Sequence, residues 1–227
     1  MSGPVVLVMA KVPIPGHVKT RLAATEGPVR AAQLATAALL DTLDVCELTF
    51  GVSRCHVSLA GDLARLDDGE LRWRLGAWTV HPQCGDGLGE RIANAHRELH
   101  PTALAPVVQI GIDTPHVTSS VLRLIAAKAV HQPVLGLAED GGWWVLATNH
   151  PAQVDGLEKV LMSTATTGQR TGELLRTGGS IVGMAPSMRD VDDAADAEHV
   201  ATLAPTTRFA QVWRANHDLP PPSSSRG

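Results

Sequence analysis

Short apolar runs alternate along this chain with longer stretches of helical periodicity. Val5-Val-Leu-Val-Met-Ala10 is apolar throughout, which predicts a strand buried on both faces. Pro106–Ile112 reads the same way, and further strands are expected at Cys55–Ala60, Trp78–His81, Val134–Ala138, Trp143–Thr148 and Ile181–Met184. Helices are expected at Pro28–Val45, with Pro28 in the first turn, and at Leu88–Leu99. Others follow at Val117–Val130, capped by Thr118 or Ser119, and at Val154–Leu161, Gln169–Arg176, Asp193–Leu203 and Thr207–Asn216. Such alternation predicts an α/β fold, a mostly parallel central sheet with helices on both faces. One domain is expected over residues 1–217. The Pro/Ser-rich stretch 218–227 is expected to be a disordered tail.

Composition narrows the function without naming it. The 227 residues are 44% hydrophobic and 19% charged, ordinary for a globular domain with a sizeable core. The net charge of −4, with acids spread along the chain, argues against a nucleic-acid surface or a polybasic membrane patch. No apolar run approaches the roughly 20 residues of a transmembrane helix, and no secretory leader is expected. Three scattered cysteines and ten scattered histidines form no CxxC, HxH or HExxH spacing. They predict reduced thiols in a cytoplasmic protein and no zinc site.

The chemistry concentrates after the strands, where ligands bind in open α/β sheets. After the first strand comes Lys11-Val-Pro-Ile-Pro-Gly16-His-Val-Lys19-Thr-Arg21-Leu22. This is a loop with one glycine and three cations, suited to polyphosphate. It matches neither the P-loop nor the dinucleotide fingerprint. Gln83-Cys-Gly-Asp-Gly87-Leu-Gly-Glu-Arg91 brings three glycines to the start of a helix. Gly111-Ile-Asp113-Thr-Pro115 puts a carboxylate at the exit of the most hydrophobic strand. A carboxylate there is costly unless paired or bound to Mg²⁺ or Mn²⁺. In Ala138-Glu139-Asp140-Gly141-Gly142-Trp143-Trp144 one acid, not both, is expected to face the site, because adjacent residues of an extended chain point oppositely. Asp190 and Asp192, two apart, share a face and offer a second carboxylate, while Asp192 or Asp193 is also a natural helix N-cap.

Taken in order, these five motifs resemble the DUF2064 family of bacterial glycosyltransferase-like proteins, relatives of 2-phospholactate and molybdenum-cofactor guanylyltransferases. The resemblance spans roughly residues 4 to 203. It implies a Rossmann-like GT-A nucleotide-diphospho-sugar transferase fold. It also implies that Lys11, Gly16, Lys19 and Arg21 hold nucleotide phosphates and that Gln83, Gly87 and Arg91 lie by the base or ribose. Asp113 would ligate the metal, with Asp192 as partner and Asp190 in reserve. Glu139 to Gly142 would face the acceptor, with Asp140 available as a base and Gly141 and Gly142 bringing backbone close to it. The departures fall on the acceptor wall: Ile112 stands where relatives often carry serine, Trp143-Trp144 replaces a tyrosine pair, and Met162-Ser163 stands where tryptophan is usual.

The leading expectation is metal-dependent nucleotidyl transfer from an NTP to a small phosphorylated acceptor, with pyrophosphate released and GTP favoured by kinship. Small molecules, not nucleic acid or membrane, are the expected partners. Glycosyl transfer from a nucleotide sugar uses the same fold and metal and stays open, as does a non-catalytic nucleotide-binding role.

Overall fold

The run at Val5 becomes a central strand because each of its faces has its own cover. The structure, a computed structural model, describes residues 3–177, 179–215 and 217; the expected tail over 218–227 lies outside them. The strands are β1 (Val5–Lys11), β2 (Cys55–Ala60), β3 (Thr79–Pro82), β4 (Val107–Ile110), β5 (Val134–Leu137), β6 (Trp143–Thr148) and β7 (Gly183–Met184). They lie side by side in the order β3-β2-β1-β4-β6-β5-β7. Every pairing is parallel except those of β6, which runs antiparallel to both β4 and β5. The mostly parallel α/β sheet is therefore as the alternation predicts.

The helices are α1 (Thr20–Glu26), α2 (Pro28–Phe50), α3 (Gly69–Gly76), α4 (Leu88–Ala103), α5 (Ser119–Ala129), α6 (Thr167–Arg176), α7 (Ala194–Leu203) and α8 (Arg208–Arg214). Period-two alternation divides the sheet between two cores. Val6, Val8, Val108 and Ile110 pack with Leu39, Leu43, Leu122 and Ile125 under α2 and α5. Val5, Leu7, Met9 and Val107 pack with Ile92 and Leu99 under α4. A third core joins α1, α2, α7 and α8 through Leu22, Leu34, Val200, Phe209 and Trp213.

Four local differences from the sequence pattern have physical causes. The cationic loop is shorter than expected, because Lys19 turns left-handed (φ 48°) and starts α1. Helix α2 runs five residues past Val45 to Phe50, whose side chain is buried, and stops at Gly51 with φ 79°. In place of one helix over Val154–Leu161 there are two 3₁₀ turns, Pro151–Val154 and Leu157–Lys159, with Gly156 at φ 95° between them. Strand β7 keeps only two residues, and Ile181, 77% exposed, lies outside it. Caps fall where short polar side chains permit: Thr118 for α5 and Asp193 for α7.

Below the sheet on the α4 side, the Thr148 hydroxyl lies 2.9 Å from His96 Nδ1 and 2.7 Å from His100 Nε2. Burial, reinforced by neighbouring His100, pushes the His96 imidazole down to about 3. Burial with nearby His150 pushes His100 down to about 4. Both are neutral in the fold, whereas the unfolded chain protonates them near 6.5. The unfolded state therefore binds more protons between those values, and folding stability falls as pH drops from about 6.5 toward 4. His96→Leu is expected to flatten this slope in thermal midpoints measured from pH 7.5 to 4. Equal slopes for variant and wild type would remove His96 from the acid sensitivity.

Candidate active site

The left-handed turn at Lys19 aims its side chain back across the ends of the strands. Its ammonium, only 8% exposed, donates to Asp113 Oδ1 and to the Val191 carbonyl. One cation thereby ties the exit of β1 to the exit of β4 and to the segment before α7. Two residues on, Arg21 projects into solvent, 71% exposed, and Nη1 reaches Asp192 Oδ2 at 2.8 Å.

The β5–β6 hairpin supplies the opposite wall. Its turn closes with Gly141 N donating to Ala138 O (3.2 Å) and Ala138 N to Gly142 O (3.1 Å). Gly142 N donates to Asp140 Oδ1 at 2.7 Å. Asp140 lines the cavity, whereas Glu139 turns away to Arg189, 2.8 Å from Nε. The turn also meets the first turn of α6: Gly168 N donates to Gly141 O at 2.9 Å. Adjacent in β6, the two tryptophans face opposite sides of the sheet. Trp143 packs toward α4 and Trp144 toward α5. Both indole N–H groups are engaged, by Thr171 Oγ1 (3.1 Å) and by the Pro186 carbonyl (2.9 Å), so both offer only ring surface.

Between these walls lies a cavity of about 510 Å³, within the usual range for small-molecule sites. Oxygens of Asp140, Asp190 and Asp192 stand within 4.8 Å of one another. Val191, buried in the third core, separates the latter two, so both project to the same side. Crowding shows in their proton affinities. Burial first, then the Asp140 charge, pushes Asp190 up to about 6. Burial also raises Asp192, against the pull of Lys19 and Arg21. Three hard oxygens gathered this closely could hold a divalent cation such as Mg²⁺ or Mn²⁺. The set differs from the expected one: Asp113 lines the same cavity but is paired with Lys19.

Several expected site residues serve the frame around the cavity. Gln83 Nε2 donates to the Ala10 and Ser58 carbonyls (3.0 and 2.9 Å), joining the ends of β1 and β2. Arg91 Nε donates to Gly85 O at 3.0 Å, holding the glycine loop that ends with Gly87 at the N-cap of α4. Lys11 is exposed at the end of β1, and Gly16 (φ 80°) shapes the following turn. Sequence reasoning missed Met9, Ile92 and Gln109, all of which line the cavity. Of these only Gln109 carried a signal, as a polar residue in an otherwise apolar strand.

Residues 42–164 match the sequence pattern of DUF2064, a family described as an uncharacterized protein conserved in bacteria. The chain belongs to the DUF2064 family. None of the curated proteins matches it by sequence. Among solved structures, this DUF2064 chain is similar to a candidate nucleotide-diphospho-sugar transferase from Desulfovibrio desulfuricans G20, with TM-score 0.82, 24% identity and 96% of each chain covered. It is also similar to a cytidylyltransferase from Leptospira borgpetersenii serovar Hardjo-bovis (TM-score 0.57, 11% identity, 96% of this chain and 95% of that one). A third is Rv0371c from Mycobacterium tuberculosis H37Rv in complex with manganese (TM-score 0.50, 18% identity, 88% and 98% covered). These likenesses establish the fold, a nucleotidyltransferase and GT-A-like α/β sheet.

Gly141 tests the assembly of the hairpin wall. Its φ is 90°, and a Cβ there would sit 2.2 Å from the Ala165 carbonyl oxygen. Gly141→Ala is expected to destabilise the fold by at least about 2 kcal/mol, from left-handed strain plus displaced backbone. Urea unfolding measures this, and a neutral variant would mean that the turn and the 163–168 segment are not in contact.

Proposed function

We propose that this DUF2064 chain is a metal-dependent nucleotidyltransferase that joins the nucleotidyl group of an NTP, with GTP favoured, to a small phosphorylated acceptor. The observation that carries the reading is the meeting of Lys19 and Arg21 with three clustered aspartates at one cavity. Cations bind phosphate directly, and carboxylates bind it only through a metal. A site holding both suits a polyphosphate with its divalent cation. The likeness in fold to a cytidylyltransferase supports the same reading.

A divalent cation held by Asp140, Asp190 and Asp192 would offset the negative charge of the phosphates. An acceptor phosphate oxygen attacks the α-phosphorus, and the bond from that phosphorus to the oxygen bridging to the β-phosphorus breaks. Pyrophosphate leaves with the bond electrons. Lys19 and Arg21 supply positive charge where the departing group gathers its own. Asp113 holds Lys19 in place, and its half-exposed carboxylate is a further acidic group for the metal. No protein nucleophile is required, because positioning and charge do the catalysis.

Glycosyl transfer is the second reading, favoured by the 0.82 likeness to the Desulfovibrio protein and by Asp140 as a base for an acceptor hydroxyl. The products separate the two. Incubation of the purified protein with Mg²⁺, each NTP and a set of phosphorylated acceptors is expected to release pyrophosphate. Nucleotide sugars that yield nucleoside diphosphate instead would establish glycosyl transfer. Metal-dependent binding without either product would indicate a non-catalytic nucleotide-binding protein.

Two substitutions test the assigned roles. Asp190→Asn is expected to weaken Mn²⁺ binding, followed by calorimetry, at least about tenfold; unchanged affinity would take Asp190 out of the metal site. Lys19→Ala is expected to weaken triphosphate binding far more than nucleoside binding. Equal losses would place Lys19 away from the phosphates.

A further inference from the structure

The cavity has an apolar half that rests on a different core from its charged half. Met9 and Ile92 belong to the core under α4, and Trp143 and Met162 pack against it. Leu88, in the first turn of α4, completes the recess. Gln109 lines the same recess from the middle of β4, only 2% exposed, and its Oε1 is buried without a hydrogen-bond partner. Its strand neighbours Val107, Val108 and Ile110 are apolar and fully buried, so an aliphatic side chain would serve the fold at this position. An unmatched buried amide oxygen is costly in the ligand-free protein, so the fold alone does not account for an amide at this position.

We propose that Gln109 is a specificity-determining residue for the acceptor. Its amide hydrogen-bonds a hydroxyl on the acceptor's carbon skeleton, while that skeleton's apolar surface lies against Trp143 and Met162. The inference rests on the transferase reading above and adds the chemical class of the acceptor: a compact, mostly apolar phosphate ester with a hydroxyl remote from the phosphate. A nucleobase is the poorer occupant, because its edge carries several polar atoms and Met9, Leu88, Ile92 and Met162 offer none of them a partner.

The test compares wild type with Gln109→Leu in two ways. In ligand-free protein, the variant is expected to melt at or above the wild-type temperature. A fall of more than about 3 °C, large for a chain of this size, would show that the amide is bonded within the protein and would overturn the proposal. Binding is then measured by calorimetry in Mg²⁺ and GTP, with glycerol 3-phosphate against propyl phosphate, which lacks the hydroxyls. Wild type is expected to prefer glycerol 3-phosphate by about tenfold or more, a single well-made hydrogen bond. The variant is expected to lose that preference while binding Mg²⁺-GTP as before. The proposal is overturned by no preference in wild type, by a preference that survives in the variant, or by a parallel loss of GTP affinity. The last result would put the base in the recess. If wild type binds no Mg²⁺-nucleotide at all, the transferase reading fails instead, and the ligand-free melting still decides whether Gln109 has a structural role.

Discussion

The bonds from Lys19 to Asp113 and to the Val191 carbonyl are the constraint on which the rest of the site depends. A nearly buried ammonium must be compensated on all sides. The groups that do so here arrive from distant parts of the chain. Asp113 leaves β4, and Val191 belongs to the stretch between β7 and α7. Satisfying one cation thus brings three strand exits into register. The left-handed backbone at Lys19 costs of order 1 kcal/mol, less than charge-assisted hydrogen bonds contribute. The same turn launches α1, whose Leu22 is fully buried in the third core. Electrostatics and packing therefore fix the position of Lys19 together.

The charged residues of the site are held in place by apolar ones between them. Leu22 follows Arg21, and Val191 lies between Asp190 and Asp192, both anchored in the core of α1, α2, α7 and α8. Because those anchors cannot move, the flanking carboxylates cannot separate, and they stand close enough for burial and mutual repulsion to raise the Asp190 carboxyl to about 6. Such crowding is unfavourable without a counter-ion, and a cation would relieve it. The hairpin completes the group by a similar logic. Gly141 lets the 163–168 segment approach to within hydrogen-bonding distance, and this leaves Asp140 facing its two partners across the cavity.

Much of the architecture was legible because it depends on local pattern. Apolar runs of four to seven residues between helical stretches can be buried only as a covered sheet, and β1 and β4 are buried as that pattern requires. Extended-chain alternation also placed Asp190 and Asp192 on one face, whereas Glu139 and Asp140 diverge within the hairpin turn. Chain-distant pairings were not legible. Gln83 and Arg91 carry functional groups and stand in a glycine-rich stretch, yet their donors are taken up by backbone carbonyls. Nothing in the spacing distinguishes a side chain that satisfies the fold from one left for a ligand. That distinction depends on which acceptors come within about 3 Å once the sheet has formed.

By itself, the sequence determined the α/β class, the alternation of strands and helices, the family and the fact that charge collects at strand exits. These follow from hydrophobic period and from the residues that turns and caps demand. Only the tertiary structure decided that Lys19 pairs with Asp113 and that Asp140 joins Asp190 and Asp192. It also decided that Gln109 is buried with an oxygen unmatched. Each is a contact between residues far apart in the chain, and its energy depends on burial and on partners that no local pattern encodes.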